Sequence, residues 1–65
     1  MHLYNIHVKH FSSDGKFFEK NVQIEAKNGQ EANIKMAEMK QDPTPQGLLS
    51  GFGDGTSICE LMLVK

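Results

Sequence analysis

Sixty-five residues and 7.3 kDa leave room for one domain, spanning 1–65, whose core is marginal because so short a chain buries only about 60% of its unfolded surface. A mean hydropathy of −0.43, with 38% apolar and 23% charged residues, describes a soluble globular chain, and no apolar run approaches the roughly 18 residues that a membrane span needs. Seven lysines, no arginine and eight acids give a net charge of −1, which supplies neither a basic excess to draw nucleic acid nor an acidic tail to mimic it. The single cysteine excludes an internal disulfide framework and a cysteine-based zinc site. With no signal-peptide pattern at its start, the chain is expected in a reducing cytoplasm.

From His2 to Phe11 the chain alternates. Tyr4, Ile6 and Val8 share one face and Asn5, His7 and Lys9 the other, which is the period of a half-buried strand. Ser12-Ser13-Asp14-Gly15 reads as a polar turn, with Gly15 free to take the left-handed conformation that short hairpin loops need. Lys16 to Ala26 alternates again, with Phe18, Val22, Ile24 and Ala26 on one face and Lys20 interrupting it, as suits an edge strand. Residues 2–26 are therefore expected to form a β-hairpin.

Asn28 sits where a helix N-cap would, and Glu31 three residues later completes a capping-box spacing. The segment 29–41 is rich in Ala, Met, Glu, Lys and Gln, which favour helix. Its Ala32, Met36 and Met39 form a stripe at i, i+4 and i+7. Pro43 stops the helix. Residues 42–55 hold two prolines and four glycines and read as a loop, long for so small a domain, that is either an ordered lid or a floppy tether. The apolar segment 56–64 reads as a third strand.

The order β-β-α-β, with a crossover through the helix, sets the third strand parallel to the second. The first strand then lies between them. The expected fold is α+β: one ββαβ domain with a three-stranded antiparallel sheet in order 2-1-3 and the helix on one face. This layout resembles half of a ferredoxin-like arrangement, or a β-grasp short of one strand.

One helix covers only one face of such a sheet. Glu60 favours an outward orientation for even positions in the third strand, which leaves Cys59, Leu61 and Leu63 inside. Ile58, Met62 and Val64 would then lie on the open face near Leu3, either as an interface or covered by Leu48, Leu49 and Phe52 folding back from the loop. The third strand is also an apolar edge without proline, open to a second copy or to an extended segment of a partner. A homodimer through that edge is the expected assembly. Two further partner contacts are expected at Phe52, an aromatic anchor between glycines, and at Ile34, on the helix side opposite Ala32.

Candidate chemistry is sparse. Gly51-Phe52-Gly53-Asp54-Gly55 resembles a phosphate loop only superficially, since a strand follows it and no Lys-Ser/Thr pair is attached. His7 and His10 project to opposite faces of the first strand, and His2 lies roughly 27 Å from His10. The histidines are accordingly expected at the surface, with no metal site and no cofactor. Cys59 lacks a base beside it and reads as a small apolar residue. No acid–base constellation is visible, so no catalytic residue is assigned.

These observations point to a non-enzymatic protein-binding module that regulates or inhibits a larger partner by occupying its surface. Phage- or mobile-element inhibitors of host defence, such as anti-CRISPR proteins, share this size and lack of reactive groups. One alternative is a nucleic-acid-associated protein using Lys9, Lys16 and Lys20 with Phe11 and Phe17, although the electrostatics argue against it. Another is a small subunit of a larger assembly.

Overall fold

A computed structural model describes residues 1–65. The chain forms β1 (His2–Ser12), β2 (Phe17–Ala26), α1 (Gly29–Gln41) and β3 (Gly55–Leu63). The sheet order is β2-β1-β3, and both pairings with β1 are antiparallel. This is the ββαβ architecture that alternation and capping anticipated, with β3 displaced by one residue toward the N-terminus at both ends.

The hairpin turns where its chemistry allows. Ser12 N–H donates to the Lys16 carbonyl at 2.8 Å, and Gly15, at φ 90°, takes the left-handed position between them. Asp14 braces the turn by accepting from Ser12 Oγ at 2.5 Å and from the Lys16 N–H at 3.3 Å. The helix opens on Asn28, whose side chain accepts from the Glu31 N–H at 2.9 Å. Glu31 in turn accepts from the Lys27 N–H at 3.4 Å, so the acid reaches one residue before the cap.

Even-numbered residues of β1 point toward α1. Tyr4 opposes Ile24 and Leu63, Ile6 opposes Val22 and Leu61, and Val8 opposes Lys20 and Cys59. The core divides into two parts. At one end Tyr4, Ala26 and Ala32 are buried together, where the helix begins. At the other Ile6, Val8 and Leu48 are buried, with Met36, Met39, Leu49 and Phe52 packed around them.

The second cluster corrects the option that Leu48, Leu49 and Phe52 cover the open face: residues 42–55 fold onto the helix side. Leu48 is 1% exposed there, and its N–H donates to the Met39 carbonyl at the helix C-terminus at 3.0 Å. Consecutive turns carry the chain through: Gly47 N–H to the Thr44 carbonyl, Ser50 to Gly47, and Phe52 to Leu49. Asp42 starts the series by accepting from the Thr44 N–H at 2.9 Å.

Candidate binding surface

The face of the sheet away from α1 has no covering element. It is formed by Leu3, Asn5, His7, Lys9 and Phe11 of β1 with their neighbours on either side. Its middle is polar. Asn5 Nδ2 donates to Asn21 Oδ1 at 2.9 Å. His7 Nε2 lies 2.6 Å from Glu19 Oε2, and Lys9 Nζ lies 3.8 Å from Glu60 Oε1. Each of these pairs links β1 to a flanking strand, and exposed pairs of this kind contribute little to stability.

Apolar residues lie at the two ends of this face. Phe11 and Phe17 form a tilted pair, centroids 5.1 Å apart, at the hairpin end. Met62 opposes Asn5, and Val64 donates its N–H to the Leu3 carbonyl at 2.8 Å, at the other end. The expected cluster of Leu3, Ile58, Met62 and Val64 is therefore interrupted. Glu60 separates Ile58 from Met62, and Ile58 sits beside Lys9.

The apolar excess is instead concentrated on β3 itself. Ile58, Met62, Leu63 and Val64 are 45%, 58%, 60% and 47% exposed, and Leu63 points to the helix side, beyond the cover of α1. The outer strand on the other side contrasts with it. Glu19, Asn21, Gln23 and Glu25 occupy the open face of β2, and Lys20 occupies its helix side. Beyond Phe17 and Phe18 at the hairpin end, the β2 edge is thus mostly polar and charged, whereas the β3 edge carries exposed apolar residues on both faces with Glu60 as its one charge.

Phe52 is not the free anchor that its flanking glycines suggest. It is half-buried and stacks on His10, with centroids 4.7 Å apart and planes 2° from parallel. Phe18 lies 5.9 Å away, and Lys20 Nζ sits 5.3 Å from the Phe52 centroid. His10 corrects the expectation of surface histidines, being 2% exposed. Its Nδ1 is 2.7 Å from Ser57 Oγ, while its buried Nε2 has no partner. Its parity with Tyr4, Ile6 and Val8 in β1 was the available signal. Ile34 is 54% exposed on the helix.

The residues considered for nucleic acid are not gathered either. Phe11, Phe17 and Lys9 share the open face, but Lys9 is engaged with Glu60 and lies opposite Glu19. Lys16 lies in the hairpin turn 3.9 Å from Asp14, and Lys20 is on the helix side. Cys59 faces the helix side beside Val8, whereas His7 faces away. No three metal-ligating side chains converge, no pocket opens on the surface, and no helix is long and apolar enough to cross a membrane. No protein-family model, curated protein or solved structure matches the chain.

Proposed function

We propose that this chain is a small non-enzymatic protein-binding module that regulates or inhibits a larger partner by occupying part of its surface. The contrast between the two sheet edges carries the reading. Sheet proteins protect exposed edges with charge, as β2 does with Lys20, Glu19 and Glu25. On β3 only Glu60 supplies such a charge, among exposed Ile58, Met62 and Leu63, and an apolar edge accepts an extended chain through main-chain hydrogen bonds and side-chain contacts.

The test is capture of partners from lysate by the tagged chain, with and without nuclease, at moderate salt. One stoichiometric protein should survive both treatments, because apolar contacts respond little to ionic strength. Met62→Asp should abolish its recovery while leaving the fold intact, since Met62 is 58% exposed. Loss of recovery on nuclease treatment would move the weight to the nucleic-acid reading, in which phosphate contacts weaken steeply with salt.

A further inference from the structure

We infer that the β3 edge pairs with β3 of a second copy of this chain, antiparallel, about a two-fold axis at Leu61. This rests on the reading of β3 as a binding surface and names the occupant of its edge. The backbone sets the geometry. The Ser13 N–H donates to the Asp54 carbonyl at 3.1 Å, and Ser13 is one step beyond the Ser12–Gly55 pair of the ladder. Alternation along an antiparallel ladder then turns the backbone groups of Thr56, Ile58, Glu60 and Met62 toward β1. The N–H and C=O groups of Cys59, Leu61 and Leu63 are left facing outward.

Charge and apolar matching choose the register. An axis at Glu60 would set two glutamates directly opposite each other, which is destabilising. With the axis at Cys59, Leu61 would face Ser57 and Leu63 would face Gly55, so the apolar residues of the two strands would not meet. An axis at Met62 would leave only residues 61–63 of the two strands opposed, against residues 59–63 with the axis at Leu61. With the axis at Leu61, the two Leu61 side chains meet. Cys59 then opposes Leu63 of the second copy, and Ile58 opposes its Val64. Glu60 opposes Met62 and keeps its own Lys9 at 3.8 Å.

The molecule has reason to pair. Its buried apolar residues are only Tyr4, Ile6, Val8, Ala26, Ala32 and Leu48, and domains of this size commonly gain from association the burial that their own cores lack. Pairing covers apolar residues of β3 that are exposed in the single chain. It also stops at two copies, because the six-stranded sheet ends on both sides in the charged edge of β2. On the open face it brings Met62 of the two copies close to the axis, with Leu3 and Val64 behind them, as one surface for the larger partner.

Light scattering and sedimentation should give twice the 7.3 kDa chain mass. Ile58→Lys, a change at an exposed position, should return the chain to a monomer with an unaltered circular dichroism spectrum. Mild oxidation should link Leu63→Cys to the native Cys59 of the second copy, since opposed residues in a bonded pair lie about 5.5 Å apart. Cys59 and position 63 of the same chain are about 13 Å apart and cannot join. Wild type should not cross-link, because its two Cys59 residues are offset by a similar distance.

A monomer at high micromolar concentration overturns the inference, as does a wild type that cross-links as readily as Leu63→Cys. If the chain is monomeric but still captures a partner, and Met62→Asp abolishes that capture, self-pairing fails and the binding reading stands. If it is monomeric and captures nothing, both fail.

Discussion

At Gly55 the chain enters β3 with φ 144°, and a Cβ there would collide with the Phe11 carbonyl oxygen. The obstacle is backbone, which no rotamer change relieves. Gly55→Ala should therefore cost about 2 kcal/mol, read as a lower urea midpoint with an unchanged slope. Two aspartates make stability depend on acid. The Ser12 hydroxyl and then the Lys16 N–H hold Asp14 below the ordinary aspartate range, and the Thr44 N–H and hydroxyl do the same for Asp42. Their folded-state values lie below the unfolded value of about 3.9, so their contribution is present above that pH and is lost as pH falls through the lowered values. Thermal midpoints from these two groups should be flat between about pH 7 and 5 and decline below about pH 4. Asp14→Asn should reduce the decline.

The elements explain why the loop is ordered. Strand β1 has 11 residues and spans about 36 Å, whereas α1 has 13 and spans about 20 Å. One helix cannot cover such a strand, and Leu48, Leu49 and Phe52 fill the uncovered part. Leu48→Ala should cost about 2–4 kcal/mol by emptying that site, a large share of what a small domain holds. Urea unfolding followed by circular dichroism should show the midpoint lowered at unchanged slope, or the folded baseline lost. Helix and hairpin boundaries were legible because capping, proline and period 2 act within a few residues. The apolar character of Leu48, Leu49 and Phe52 was legible too, but their destination depends on the difference in length between helix and strand. His10 shows the same division. Period 2 places it on the inner face, while its burial requires Phe52 to arrive from more than forty residues along the chain.

Across the whole molecule, 39 × 20 × 15 Å, local sequence determined the elements, their order and the face that β1 and β2 turn inward, while for β3 Glu60 was the one cue. These follow from short-range sterics, capping and side-chain alternation, and the crossover through the helix then places β1 between β2 and β3. Tertiary structure alone decided which surface the loop covers. It also broke the apolar residues of the open face with a polar centre, because the strand registers bring His7 to Glu19 and Lys9 to Glu60. Packing likewise laid the half-buried Phe52 against His10 and separated Lys20 from Lys9. Position along a strand assigns a side chain to a face, but only the assembled layers determine what that face meets.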